Sequence, residues 1–266
     1  MAAAVPLFFA DRMPADHPRA TATERAAYDR YLAARNHYKE ELLDEVVAAV
    51  RDGRGGPVLE VGTGYGGLGT ELLRRTAPDP AGTPDVPGAP FELYAVCESE
   101  AARELYARRL REAGLTARLC VAPGGVPDPD DDFWRGRRFG TVYSANAFNA
   151  WPDPAGVLTR LAALTAPGGR VLVNDLRRDP DPFILEYSLR EMADDTSSEG
   201  RYRLCTYLAS LQAAYTCAEA GTLLRDAGLT AWTVRPDGPM ALTLRRAPTH
   251  PGPPAPTAPS DPWRSP

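Results

Sequence analysis

Short apolar runs alternate with amphipathic stretches along most of the chain of 266 residues. Apolar runs of about four to eight residues predict buried strands, and apolar residues recurring every three or four positions predict helices. Pro154, and Thr216 with Glu219, have the pattern of helix starts. The predicted strands lie at 57–61, 91–97, 119–122, 139–146, within 166–178, at 231–234 and at 241–244. Strands and helices in alternation predict an α/β protein.

Proline and glycine divide the chain into segments with different expected behaviour. The stretch at 77–90 is too rich in both for a helix or a central strand, so we expect a flexible surface loop. Residues 1–27 are expected to be a flexible N-terminus, and the proline-rich residues 247–266 a disordered tail. The remaining parts are a helical segment, a main domain and an insert within that domain, at 28–55, 56–246 and 181–215.

A glycine-rich turn joins the first predicted strand to the helix that follows. The strand is apolar except for Glu60, as expected for a parallel strand covered on both faces. Gly62, Gly64 and Gly66 come next, and glycine allows backbone angles and close ligand contacts that a Cβ forbids. The helix would direct unpaired N–H groups at the same place. The turn is therefore predicted to bind a nucleotide-like ligand.

The spacing of Gly62, Gly64 and Gly67 also fits the G-x-G-x-x-G pattern of dinucleotide sites, so the glycines alone leave the ligand open. Glu60 favours S-adenosylmethionine over a dinucleotide as the ligand, because Glu-x-Gly-x-Gly-x-Gly resembles motif I of the class I S-adenosylmethionine-dependent methyltransferases. The Pro-Gly-Gly turn at 167–169 is also similar to that family, and the resemblance covers most of the chain. It is to the small-molecule branch, related to the ubiquinone and menaquinone methyltransferases.

The resemblance implies a doubly wound, seven-stranded Rossmann-like sheet with six parallel strands and one antiparallel strand. It also implies S-adenosylmethionine as cofactor, lying across the carboxyl ends of the strands at the topological switch. The helical segment 28–55 would be an N-terminal lid, and the insert 181–215 would cover the substrate. The expected reaction is methyl transfer to a small-molecule nucleophile by in-line displacement, with alignment and exclusion of water as the main catalytic contributions.

Glu98 follows the second predicted strand, where an acid can accept hydrogen bonds from both ribose hydroxyls. Val96-Cys97-Glu98-Ser99 resembles the family's signature at this point, although Glu98 could instead complement the dipole of the next helix. In the family, the acid corresponding to Glu60 helps to hold the amino-acid portion of the ligand. The predicted cofactor-binding residues are Glu60, Gly62, Thr63, Gly64, Gly66, Glu98, Ser99 and Asn146.

The chain departs from the family at two places. Relatives usually carry Gly-Asp-Ala after the third strand, whereas residues 122–125 read Ala-Pro-Gly-Gly. Main-chain groups or Asp128 would then hold the adenine. Relatives often carry a histidine after the fourth strand, where this chain has Asn149, which cannot accept a proton at useful pH. The candidate catalytic residues are Asn149, which occupies the position of that histidine, and His37. The side chain of His37 titrates in the right range for a catalytic base.

Aromatic residues near the lid are candidates for binding the methyl acceptor. Tyr28, Tyr31 and Tyr38 lie on the predicted lid, Trp151 follows the fourth strand, and Arg177 follows the fifth. Ordinary packing of amphipathic helix residues on the sheet is the alternative for the tyrosines. The expected partner is a small-molecule acceptor, and the expected state is a monomer or a homodimer.

The composition narrows the function further. The 35 acidic and 30 basic residues give a net charge of −5, with no basic footprint for nucleic acid. The four cysteines lack metal-ligand or redox spacing, so we expect reduced thiols in a cytoplasmic protein without a metal site. Residues 1–10 are too short for a membrane span and lack the basic start of a signal peptide. High alanine, arginine and proline content suggests a G- and C-rich genome, and with it a specialised metabolite as substrate.

Two other functions are kept open by specific residues. Gly62, Gly64 and Gly67 allow a nicotinamide-dependent oxidoreductase, although Glu60 and the Pro-Gly-Gly turn argue against it. The missing acid after the third strand and the presence of Asn149 allow a methyltransferase-fold protein that binds the cofactor without methylating. Such a protein would catalyse a rearrangement or cyclisation, or would act as a binding module.

Overall fold

The computed structural model describes residues 11–13, 21, 23–24, 27–28, 31, 39–51, 56–77 and 91–246. The predictions made for His37 and Tyr38 lie outside the described residues. So do those for most of the N-terminus, for the loop after residue 77 and for the tail after residue 246. The described parts of the predicted lid are helical backbone at Tyr28 and Tyr31 and a helix that begins at Glu40.

Seven strands form one sheet in the order β3-β2-β1-β4-β5-β7-β6. The first five strands pair in parallel, whereas β7 is antiparallel to both of its neighbours, β5 and β6. Six strands therefore share one direction and one opposes it, which confirms the predicted sheet. The strands are β1 Val58–Val61, β2 Leu93–Cys97, β3 Arg118–Val121, β4 Phe139–Ala145, β5 Thr165–Leu176, β6 Trp232–Asp237 and β7 Ala241–Arg246.

Helices cover both faces of the sheet. Buried residues of α1 and α2 pack on one face against Val58, Tyr143 and Leu172, and α3 extends the same layer over β2. Helices α4 and α7 pack on the other face, against Leu59 and Val173 among others. The helices are α1 Glu40–Arg51, α2 Gly67–Thr76, α3 Glu100–Glu112, α4 Pro154–Leu164, α5 Pro182–Ala193, α6 Ser198–Ala213 and α7 Cys217–Asp226.

Local capping residues begin two of these helices where the sequence predicts. Asp153 accepts a hydrogen bond from the N–H of Gly156, and Pro154 occupies the first turn of α4. At the start of α7, Thr216 and Glu219 form a reciprocal capping box. Each cap satisfies N–H groups that a helix start leaves unpaired. The insert after β5 consists of α5 and α6.

The winding of the chain reverses between β1 and β4, which are neighbours at the centre of the sheet. Connections from these strands leave in opposite directions, so a crevice opens beyond their carboxyl ends. The glycine-rich turn follows β1 and faces this crevice. None of the helices in the described part of the chain is long and apolar enough to cross a membrane.

Candidate functional site

The turn after β1 is built from glycines with left-handed backbone angles. Gly62, Gly64 and Gly66 have φ values of 69°, 50° and 77°. A Cβ added to Gly64 would meet nothing within 4 Å, so this part of the turn borders open space. Gly66 begins α2, and no side chain among the described residues caps that helix. The first N–H groups of α2 are therefore directed at the crevice, where an anionic or polar ligand group is favoured.

Glu60 lies beneath the turn and not in front of it. Its side chain is 3% exposed, and its carboxylate accepts a hydrogen bond of 2.8 Å from the hydroxyl of Tyr106 on α3. Burial raises the pKa of Glu60 to about 7, although bonds from Tyr106 and from the Gly69 N–H oppose this rise. The geometry gives Glu60 a positioning role for the turn. The direct ligand contact expected from the resemblance is not what this placement favours.

Tyr106 fills the space that the glycines leave behind the turn. A Cβ on Gly66 would lie 2.0 Å from its ring, and a Cβ on Gly69 would lie 1.9 Å from its hydroxyl. Both positions must therefore be glycine for α2 and α3 to approach this closely. The sequence analysis did not find this role for Tyr106, because in a helix pattern it is only one more apolar residue.

The loops after β1, β2 and β3 converge at Glu98. The N–H of Gly62 donates to the carbonyl of Gly125 at 3.3 Å, and a Cβ on Gly125 would lie 3.7 Å from the Cβ of Glu98. Glu98 is exposed at the end of β2, as a ribose-binding acid requires. Ser99 instead caps α3, because its hydroxyl accepts from the Ala102 N–H at 3.2 Å.

The segment after β3 supplies main-chain groups and no carboxylate to this corner. Residues Pro123–Gly125 form a short 3-10 turn with φ values of 66° at Gly124 and 68° at Gly125. Asp128 is exposed, and its carboxylate accepts from the Asp130 N–H at 3.0 Å, which fixes a local turn. Of the two ways to hold the adenine, this arrangement favours the main chain.

Two further predicted residues lie at the ends of the central strands. Thr63 is buried and donates to the Cys97 sulfur at 3.4 Å, which ties the glycine turn to the end of β2. Asn146 follows β4 with a φ of 57°, an uncommon angle for a residue with a side chain. Its N–H donates to the carbonyl of Asn174 at 2.9 Å, and its side chain is exposed. Both therefore lie at the crevice edge.

Asn149 is hydrogen-bonded to a buried carboxylate. Its N–H and its amide group donate to Asp175 at 2.7 and 2.9 Å, and Asp175 is fully buried at the end of β5. Burial raises the pKa of Asp175, while the bonds from Asn149 oppose that rise. Asn149 is itself only 3% exposed. This placement favours a structural role, which fixes the loop after β4, over the catalytic role predicted for it.

The candidate acceptor-binding residues fall into two groups. Trp151 packs in the core, with its ring 5.7 Å from that of Phe148, and Arg177 forms a two-bond ion pair with Asp179. Both are better explained by packing and local pairing. Tyr28 and Tyr31 instead stack on one another beside the insert, at 6.4 Å between ring centroids.

A polar group that sequence reasoning missed lies where α1 meets the sheet. Lys39 donates to the side-chain oxygen of Asn174, whose amide donates in turn to Asp237 and to Thr243. Burial lowers the pKa of Lys39, and the nearby carboxylates Asp175 and Asp237 act against this. The only signal in the sequence is the pair Asn174-Asp175 inside an otherwise apolar strand.

Comparison with known proteins gives one family and one fold. Residues 31–233 match the sequence profile described as a methyltransferase domain. The plantazolicin methyltransferase BpumL, solved with a pentazolic desmethylPZN analog and SAH, superimposes with a TM-score of 0.52 at 12% identity, over 85% of this chain and 96% of that chain.

Two further solved structures have the same fold. NcsB1, an O-methyltransferase from neocarzinostatin biosynthesis solved with SAH and 1,4-dihydroxy-2-naphthoic acid, gives a TM-score of 0.51 at 20% identity, over 84% of this chain and 57% of that chain. An O-methyltransferase family protein from Burkholderia thailandensis gives 0.50 at 15% identity, over 84% and 60%. At these identities the likeness is one of fold.

Proposed function

Because the chain belongs to the class I S-adenosylmethionine-dependent methyltransferases, through their methyltransferase domain family, we propose that its methyl acceptor is a specialised metabolite. The observation that carries the cofactor assignment is the corner where the glycine turn, Glu98 and Gly125 meet. That corner combines a bare backbone turn with an exposed carboxylate, as an adenosyl ligand with a free ribose requires.

The residues at the crevice fit S-adenosylmethionine. Gly64 leaves room for the ligand against the main chain, and α2 presents N–H groups to the ligand's carboxylate. Glu98 would accept hydrogen bonds from the ribose hydroxyls, and main-chain groups near Gly125 would face the adenine. When bound, the cofactor supplies a methyl group on a sulfonium, which is a good leaving group.

The protein's own contribution is alignment and shielding. Asn149 is buried and hydrogen-bonded to Asp175, so it is not placed to take a proton from an acceptor. We therefore propose that the acceptor arrives already nucleophilic and that the enzyme holds it in line and excludes water. His37 stays a predicted base for an acceptor that needs one.

The names of the structural neighbours support the class of acceptor. BpumL is a plantazolicin methyltransferase, and NcsB1 belongs to neocarzinostatin biosynthesis. Both act in the making of specialised metabolites, as proposed for this chain. A monomer or homodimer remains our expectation, and the charge balance leads us to expect no nucleic-acid partner.

Isothermal titration with S-adenosylhomocysteine tests the cofactor site. We expect Glu98→Ala to weaken binding by about tenfold or more, because two hydrogen bonds to a charged group are lost. Glu100→Ala is the matched control, since Glu100 is also exposed but pairs with Arg103. Equal affinity in the wild type and Glu98→Ala would remove the ribose assignment.

A further inference from the structure

Five tyrosines connect the glycine turn to helix α6. Tyr28 lies edge-on to Tyr202, with 5.9 Å between ring centroids and 86° between planes, and it also stacks on Tyr31. Burial raises the pKa of Tyr28, and the neighbouring Tyr202, Tyr31, Tyr207 and Tyr65 raise it further. Helix α6 packs on the turn Phe148–Ala150 that follows β4, and Tyr65 belongs to the glycine turn after β1, so the group lies on the crevice side of the sheet. We call Tyr28, Tyr31, Tyr65, Tyr202 and Tyr207 the tyrosine cluster.

Two buried hydrogen-bond donors at this cluster have no partner among the described residues. The guanidinium of Arg203 lies 4.7 Å from the ring centre of Tyr31, and one of its terminal nitrogens bonds Asp195 at 3.2 Å. Its buried Nε bonds to nothing in the described part of the chain, and the same holds for the hydroxyl of Thr206, which is 6% exposed. Buried donors are nearly always paired, so this pair calls for an explanation.

The two donors share a helix face with an aromatic ring. Residues three and four positions apart on a helix are neighbours, so Thr206 lies beside both Tyr202 and Arg203 on α6. An N–H of a cation and an adjacent hydroxyl suit the two oxygens of a carboxylate. Flat phenol rings arranged edge-on and stacked suit the faces of another aromatic ring.

Resting on the proposed function, we propose that the tyrosine cluster, Arg203 and Thr206 form the acceptor site, and that the acceptor is an aromatic carboxylate. Its ring lies among the tyrosines, and its carboxylate accepts from the Arg203 Nε and the Thr206 hydroxyl. Because Tyr65 belongs to the glycine turn, a ring held here lies next to the methyl donor. The positive charge of Arg203 selects against neutral molecules of the same shape.

Three matched probes test the two parts of this specificity. 2-Naphthoic acid has both features, 2-naphthalenemethanol lacks the carboxylate, and decahydro-2-naphthoic acid lacks the aromatic rings. Their binding to the full chain is measured by ligand-observed NMR with S-adenosylhomocysteine present. We expect the affinity for 2-naphthoic acid to be higher than that for either of the other two probes by about tenfold or more.

Variants then assign the specificity to residues. Arg203→Gln and Thr206→Val should each reduce the preference for the carboxylate by about tenfold, and Tyr202→Leu should reduce the preference for the aromatic ring. Arg201→Gln is the control, since Arg201 is exposed on the same helix and bonds the Thr196 carbonyl. Thr206→Val should be no less stable to heat, because the hydroxyl makes no hydrogen bond within the described part of the chain that could be lost.

The outcomes separate this proposal from the one on which it rests. A wild type that binds S-adenosylhomocysteine but binds all three probes equally would overturn the acceptor site and leave the proposed function standing. Unchanged carboxylate preference in Arg203→Gln would also overturn it. A wild type that fails to bind S-adenosylhomocysteine would overturn both.

Discussion

Gly69, in the first turns of α2 after the glycine-rich turn, packs tightly against Tyr106 and Glu60. A Cβ there would lie 1.9 Å from the Tyr106 hydroxyl and 2.3 Å from the Glu60 carboxylate. Gly221 is also in a helix, but a Cβ there would meet only ordinary contacts at 3.7 Å. The two positions therefore make a matched pair for the same substitution.

We predict that Gly69→Ala lowers the free energy of unfolding by about 1–3 kcal/mol, because the methyl group overpacks a filled space. Gly221→Ala should instead raise it by about 0.5–1 kcal/mol, since alanine has the higher helix propensity. Denaturant unfolding of both variants measures the difference. A Gly69→Ala variant as stable as Gly221→Ala would show that Tyr106 can move away.

Glu60 makes stability depend on pH in a direction opposite to that of most carboxyl groups. Its pKa is about 7 in the folded protein, against an ordinary value of 4.5. Between these values the folded state binds more protons than the unfolded state, so the stability present at low pH is lost as pH rises. The difference in pKa corresponds to about 3 kcal/mol.

We predict that Glu60→Gln, which resembles the protonated form, gains stability relative to the wild type between about pH 4.5 and 7. The change in relative stability should approach about 3 kcal/mol over that range. Urea unfolding of both proteins at several pH values measures it. A constant difference between them would mean that Glu60 is not held in a dry site.

At the scale of elements, α1 is held to the sheet by polar contacts as well as by its apolar face. Lys39, just before α1, donates to Asn174 on β5, and Asn174 donates to Thr243 on β7 at 2.9 Å. Thr243 donates in turn to Asp237 on β6 at 2.7 Å. One network thus joins the entry to α1 with three neighbouring strands.

We predict that Lys39→Met lowers the free energy of unfolding by about 1–3 kcal/mol, because it leaves the buried oxygen of Asn174 without its donor. Arg74→Met is the control, since Arg74 forms an ion pair of 3.8 Å with its side chain 58% exposed. Its loss should cost less than about 1 kcal/mol. Equal effects in the two variants would show that the network adds nothing to stability.

At the scale of the whole molecule, a ligand that binds across β1, β2 and β3 stabilises the fold by mass action. We predict that S-adenosylhomocysteine at 100 times its dissociation constant raises the free energy of unfolding by about 2.7 kcal/mol. NAD⁺ should have no such effect, because the chain belongs to the S-adenosylmethionine-dependent methyltransferases. Thermal unfolding with each ligand measures this, and stabilisation by NAD⁺ alone would favour the oxidoreductase.

Most of the sheet could be predicted from the sequence, because the strand positions follow from local periodicity and the number and direction of the strands follow from one family resemblance. Buried parallel strands are continuously apolar, and helices repeat every three or four residues, so each segment carries its own signal. The turn at Gly62, Gly64 and Gly66 could also be predicted from the sequence, because left-handed backbone angles favour glycine.

The roles of single polar residues were decided by the tertiary structure. Glu60 accepts a hydrogen bond from Tyr106, which is 46 residues away in the sequence. Asn149 donates to the carboxylate of Asp175, which is 26 residues away. Asn149 and Glu60 look like ligand-facing residues in sequence because both end or follow strands at the crevice. The orientation of each side chain depends on hydrogen-bond partners that are brought together only by folding. The spacing of residues in the sequence does not identify these partners.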